Sequence, residues 1–257
     1  MIFYYSGIGN SKFTAERLAE EIGERLIRLT DVKSSGQVFN GESLGFVFPI
    51  YSWGVPTIVT QFFSELSDDF INIISENNIP VWMVCTYGDE IGNAAEMFEK
   101  CLAGRGLRMY GAWGVRMPNT YVLLPGFDVD SRPVEEEKLK NAPKIISKIA
   151  YKIRIGEWEK NVWKGSFPKL RSMIFPLFNK WGVSPSKWRH DDRCVKCGKC
   201  AKACPVKNIE MLKDGPKWNS NCMCCLACYH VCPVHSIDYG KVTKNKGQYR
   251  GPGSING

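Results

Sequence analysis

Eight cysteines in the last quarter of the chain fall into two copies of one spacing, C-x2-C-x2-C-x3-C, each followed by proline. The first copy is Cys194, Cys197, Cys200 and Cys204 before Pro205, and the second is Cys222, Cys225, Cys228 and Cys232 before Pro233. Gaps of two residues let three sulfurs converge on one centre, and thiolates suit soft metals. Zinc sites commonly use two ligand pairs parted by a spacer, and zinc has no need of the repeated proline. Disulfides are the other rival. The chain opens Met-Ile-Phe-Tyr-Tyr, without the charged, apolar and cleavage regions of a secretory signal. The expected compartment is therefore the cytoplasm, where clustered cysteines bind metal more often than they cross-link. Cys85, Cys101 and Cys224 stand outside the pattern. Cys224 sits within the second copy but fits none of its ligand positions, and reads as a small buried residue, with a redox-sensing thiol as the alternative. Cys85 ends an apolar run and reads as core.

The spacing resembles that of bacterial ferredoxins with two [4Fe–4S] clusters, in which the fourth cysteine of each run binds the other run's cluster. By that resemblance one cluster takes Cys194, Cys197, Cys200 and Cys232, and the other takes Cys222, Cys225, Cys228 and Cys204. The expected unit is a small α+β domain over residues 189–240, with a tail at 241–257.

The amino-terminal part alternates short apolar runs with amphipathic stretches. Strands are expected at Ile2–Tyr5, Leu44–Phe48, Val81–Thr86 and Leu107–Met117, with a weaker edge strand at 25–29. Helices are expected after Ser11, at Pro56–Leu66 with proline in the first turn, at about 91–103, and as a basic helix at Pro133–Ile155. Continuous apolar strands between such helices imply a parallel sheet covered on both faces. The expected fold is a doubly wound α/β domain with a five-stranded parallel sheet over residues 1–157.

In such sheets ligands sit beyond the carboxyl ends of the strands. The loop after the first strand, Ser6-Gly7-Ile8-Gly9-Asn10-Ser11, offers backbone N–H groups at a helix start together with the Ser6, Asn10 and Ser11 side chains, which suit a phosphate. It is neither G-x-G-x-x-G, since Lys12 stands at the third glycine, nor a nucleoside-triphosphate loop. Y-S-G-I-G-N-S-K resembles the phosphate loop of flavodoxins. That resemblance implies FMN, with its ring held by Pro49, Tyr51, Ser52, Trp53 and Gly54 after one strand and Thr86, Tyr87, Gly88 and Asp89 after the next. Tyr51 or Trp53 would stack on one face, and Tyr87 on or near the other. Ile8 stands where many flavodoxins have threonine, which removes a hydroxyl but keeps the backbone N–H. Asn119 and Tyr121, after the last strand, are further candidates for the cleft.

A flavodoxin-like domain joined to a two-cluster ferredoxin resembles the flavodoxin–ferredoxin fusion proteins of anaerobes. The stretch 158–188 is too apolar for a flexible linker and is expected to pack as a seam between the domains or a wall over the flavin. No segment approaches the ~18–20 apolar residues of a membrane span. The formal charge is +8, but two anionic clusters and a flavin phosphate would bring it to roughly +2, which argues against nucleic acid. Lys138–Lys199 holds 16 basic residues against 4 acidic ones, a surface suited to an acidic, ferredoxin-like redox partner. Two electron-handling centres in one chain imply an oxidoreductase in which the clusters reduce FMN and the flavin reduces an acceptor such as a small molecule. The alternative is a fused carrier that shuttles electrons between larger enzymes. The histidines, His190, His230 and His235, lie outside the flavin loops, so no acid–base set is expected and no residue is assigned as catalytic.

Overall fold

Apolar runs too short to be helices pair side by side because each can bury both faces only inside a sheet. The computed structural model describes residues 1–31, 39–177 and 184–252. Its six parallel strands are β1 (Ile2–Tyr4), β2 (Leu26–Arg28), β3 (Leu44–Pro49), β4 (Val81–Tyr87), β5 (Met109–Arg116) and β6 (Lys160–Asn161), in the order β2-β1-β3-β4-β5-β6. The first five follow the flavodoxin-like doubly wound order. The expected five strands become six because residues 160–161 pair with Ala112 and Trp113 of β5. Two exposed polar residues carry no strand signal in the sequence.

Helices α1 (Asn10–Ile22) and α5 (Arg132–Arg154) cover one face, where Leu18, Trp82, Trp113 and Ile146 are buried. Helices α2 (Thr57–Ser64), α3 (Asp68–Glu76) and α4 (Ala94–Ala103) cover the other, where Phe3, Phe46, Phe62, Phe70 and Phe98 form an aromatic core. Sequence reading gave no separate α3. Its signal is local, since the Ser67 hydroxyl caps the helix by accepting from Phe70 N at 3.2 Å, and Asp68 and Asp69 occupy the first turn.

Short helices α6 (Pro168–Ser172) and α7 (Ile174–Leu177) follow the sheet. The cysteine-rich unit contains β7 (Trp188–His190), α8 (Lys199–Ala203), β8 (Ile209–Leu212), β9 (Gly215–Trp218), α9 (Ala227–Val231) and β10 (Ile237–Tyr239). β7 pairs antiparallel with β10, and β8 with β9. Val122 and Leu123, from the long β5–α5 connection, are buried in the core of this unit beside Trp188, Leu226 and Tyr229. The two halves therefore share packing. No helix among the described residues is long and apolar enough to cross a membrane.

The expected linker and tail extend into 178–183 and 253–257, outside the described residues. The described part of the linker packs beside the strand ends. Phe175 lies against Gly54, and Ser172 Oγ donates to Trp53 O at 3.1 Å and accepts from Asn93 N at 2.7 Å.

Candidate functional site

Strand order reverses between β1 and β3, so their carboxyl ends leave a crevice. A cleft opens there, walled by three loops that follow strand ends. It gathers Ser6, Gly7, Ile8, Asn10 and Ser11 from the first loop, Pro49, Tyr51 and Ser52 from the second, and Thr86, Tyr87 and Gly88 from the third. Asn119 and Tyr121 line it too, and among the described residues no lining residue is charged. An anion bound here would rely on backbone N–H groups, hydroxyls and the start of α1.

The loop side chains are largely engaged with one another. Gly9 N donates to Ser6 Oγ at 3.1 Å, and the Ser11 and Thr86 hydroxyls lie 2.6 Å apart. Asn10, a candidate for a phosphate, lines the cleft but offers no free amide to it. Its Nδ2 instead donates to Pro118 O at 3.1 Å, and its Oδ1 accepts from the Tyr249 hydroxyl at 2.7 Å.

Four candidates fall outside the cleft lining. Gly9, at φ 113°, shapes the turn into α1. Trp53 faces away because Tyr51 and Gly54 close a two-residue turn through reciprocal backbone bonds, with Ser52 and Trp53 both left-handed. Its indole N–H donates to Glu90 Oε1 at 2.9 Å, and Arg171 stacks on the ring while pairing with Glu90. Gly54 gives room to Phe175. Asp89 accepts from Asn119 Nδ2 at 3.0 Å and so orients a lining residue. Tyr51 and Tyr87 remain as the aromatic side chains of the two ring loops in the cleft.

Sequence reasoning missed one wall. Cys224, Cys225 and Leu226, from the second cysteine run, line the same cleft. A Cβ added to Gly7 would stand 2.9 Å from Cys225 O and 3.1 Å from both Cys225 Cβ and the Tyr51 hydroxyl. No local pattern could have signalled a contact across more than two hundred residues.

The eight run cysteines are free of disulfides and surround two pockets in a crossed arrangement. One is lined by Cys194, Cys197, Cys200 and Cys232. The other is lined by Cys204, Cys222, Cys225 and Cys228. Among the described residues no three His, Cys, Asp or Glu side chains close on a single ion. Backbone N–H groups already point at the fourth sulfurs, Asn208 N donating to Cys204 Sγ at 3.2 Å and Ser236 N to Cys232 Sγ at 3.3 Å. The buried indole N–H groups of Trp188 and Trp218 meet no oxygen or nitrogen acceptor. Both residues line the second pocket, beside Cys222 and Cys228. Unpaired buried donors facing sulfur fit a site for sulfide-rich anionic groups. Burial pushes the Cys225 thiol up to about 12, so a thiolate there depends on bound positive charge.

The runs are also conformational repeats, offset by 28 residues. Lys196 and Cys224 share φ 54°, Gly198 (71°) matches Leu226 (61°), and Lys207 and His235 share 50°. Cys224 thus occupies the left-handed link between the first two cysteines of its run, and it lines the cleft and not the second cysteine pocket.

The tail ties both halves together. Gln248 Nε2 donates to Cys232 O at 3.1 Å, and Tyr249 N donates to His230 Nδ1 at 3.0 Å. His230 Nε2 reaches Thr120 O in the cleft wall at 2.8 Å. Those two bonds need a neutral ring, and burial pushes the His230 pKa down to about 4. Gly251 and Pro252 rest on Ile8 and Gly9 of the first loop.

A 4Fe–4S binding domain model matches residues 188–210, which include the first cysteine run. No curated protein matches the chain. The amino-terminal part is similar to three solved structures. The Trp repressor binding protein of Bacillus subtilis is 17% identical, with a TM-score of 0.42 over 58% of this chain and 96% of that one. Two-electron reduced Megasphaera elsdenii flavodoxin is 17% identical, with a TM-score of 0.34 over 59% and 97%. An FMN-dependent NADH-azoreductase from Bacillus anthracis is 11% identical, with a TM-score of 0.39 over 60% and 98%. The chain joins a sheet of flavodoxin-like strand order to a 4Fe–4S binding domain.

Proposed function

We propose that this protein is an iron–sulfur flavoprotein that carries electrons between two [4Fe–4S] clusters and FMN and delivers them to an acceptor at the flavin. The carrying observation is the shared wall, with Cys225 lining both a cysteine-ringed pocket and the cleft at the switch point. In this reading Cys194, Cys197, Cys200 and Cys232 hold one cluster, and Cys222, Cys225, Cys228 and Cys204 hold the other. Ser6–Ser11 receive the flavin phosphate, while Tyr51 and Tyr87 flank the ring. Gly88 and Asn119, which line the same cleft, would offer its polar edge a backbone group and an amide. A flavin accepts two electrons and a cluster passes one at a time, so their chemistry converts between single-electron donors and a two-electron acceptor. The protein supplies position, a cleft whose described lining has no charged side chain, and an apolar wall from Leu226 and Tyr121. Housing both centres in one chain makes transfer independent of protein concentration.

Anaerobic purification with iron, sulfide and flavin assays tests the reading. About eight iron atoms and one FMN per chain are expected from two cubanes and one cleft. A protein with iron and no flavin under conditions of FMN excess overturns the flavin half. A protein with about four iron atoms overturns the second cluster.

A further inference from the structure

The two cysteine runs share one backbone but present it to different surroundings. In the second run, the face made by Cys224, Cys225 and Leu226 lies against the flavin cleft, and His230 bonds the cleft wall at Thr120. Subtracting the 28-residue offset maps that face onto Lys196, Cys197, Gly198 and Lys202 of the first run. Among the described residues that face stays open to solvent. Val195 is 60% exposed, and Cys197, Lys196, Lys199 and Lys202 are all exposed.

The substitutions between the repeats are systematic. Cys224 becomes Lys196, Ala227 becomes Lys199 and His230 becomes Lys202. A face that docks within the chain is small and neutral, while its counterpart on the outside is basic around an apolar centre. Lys196 and Lys199 form the rim of the pocket ringed by Cys194, Cys197, Cys200 and Cys232. Lys202 lies one turn from Lys199 on α8. From Arg193 to Lys207 no acidic residue intervenes. Arg193 pairs with Asp191, whereas none of the three lysines has an ion pair among the described residues. The second pocket has no charged residue in its lining.

We infer that the Lys196–Lys199–Lys202 face is the docking port for a small acidic one-electron redox protein, so that electrons enter at the first-run site and reach the flavin through the second. The inference rests on the proposed function. Each encounter moves one electron from the partner, which is oxidised, to the site beneath Cys197, which is reduced, with no bond made or broken. Unpaired lysines around an exposed valine suit a brief complex, with charge steering the approach and a small apolar contact seating it.

The test uses full-length protein reconstituted anaerobically and an acidic plant-type [2Fe–2S] ferredoxin as the probe. Binding of the oxidised probe is titrated at low and high salt for the wild type and for Lys196→Glu/Lys199→Glu/Lys202→Glu. Reversing three charges and adding salt are each expected to weaken binding by about tenfold or more. Iron, sulfide and flavin content of the variant should match the wild type, which separates docking from folding. A conservative Lys→Arg triple variant should bind like the wild type. Equal ferredoxin affinity in the charge-reversed variant overturns the port, as does binding to phosphatidylserine vesicles that displaces the ferredoxin. Wild-type protein that holds its cofactors but binds the probe without need of the lysines sinks this inference alone. Wild-type protein lacking the cofactors after reconstitution instead sinks the function on which it rests.

Discussion

The carbonyl oxygen of Cys225 lies so close to Gly7 that a Cβ built on the glycine would stand 2.9 Å from it. The second cysteine of the second run and the first glycine of the amino-terminal loop thus hold the two halves of the molecule at backbone contact. The cost of changing Gly7 is steric, because the neighbours are a carbonyl, a Cβ and the Tyr51 hydroxyl. Gly7→Val should lower stability by about 1–3 kcal/mol, as overpacking does, and should lower flavin retention. Thermal unfolding of the holoprotein and FMN titration of the apoprotein read the two effects.

The Tyr249–Asn10 bond makes a separate prediction. Tyr249 is buried, and burial raises its pKa, so its hydroxyl remains a donor. Tyr249→Phe leaves the Asn10 carboxamide without its 2.7 Å partner. The expected loss is about 1–3 kcal/mol of stability, with weaker FMN binding because Asn10 begins α1 within the cleft. An FMN dissociation constant equal to that of the wild type would show that the tail only buttresses the fold.

Crossed ligation is tested by serine substitution. Cys232→Ser should deplete the site formed by the first run, and Cys204→Ser the site formed by the second. Cys224→Ser should leave iron and sulfide counts at the wild-type value, because Cys224 lines the cleft and lies outside the second cysteine pocket lining. Iron assays and low-temperature EPR of the reduced proteins distinguish the three.

Much of this was legible in the sequence because it depends on local order. The flavodoxin-like succession followed from apolar runs at β1, β3, β4 and β5, and the cysteine spacing marked both pockets. The side chains whose partners were not legible depend on distant residues. Trp53 is drawn outward by Glu90 and Arg171, one of them more than a hundred residues away. Asn10 is claimed by Pro118 and Tyr249. The polar pair Lys160–Asn161 becomes a strand only because β5 offers it an edge. Cys224 could be excluded as a ligand from spacing, but its place in the cleft wall required the docking of one half on the other.

A buried ion pair supports the cleft from behind. Lys138 Nζ lies 2.7 Å from Asp130 Oδ2, with the two side chains only 5% and 11% exposed. Asp130 also accepts from Asn119 N at 2.9 Å, so the pair anchors a lining residue. Lys138→Met should cost about 3–5 kcal/mol, since it strands a buried carboxylate. The double change Lys138→Met/Asp130→Leu should recover part of that loss in thermal unfolding, while flavin affinity stays reduced because Asn119 has lost its anchor.

The most direct test of electron passage across the Cys225–Gly7 contact is a stepwise anaerobic reduction of the holoprotein, following cluster EPR and flavin absorbance on the same samples. Reduction through the clusters should bleach the flavin band within one turnover, and Gly7→Val should slow the bleaching without slowing cluster reduction. Clusters that become fully reduced while the flavin spectrum stays unchanged would contradict the account.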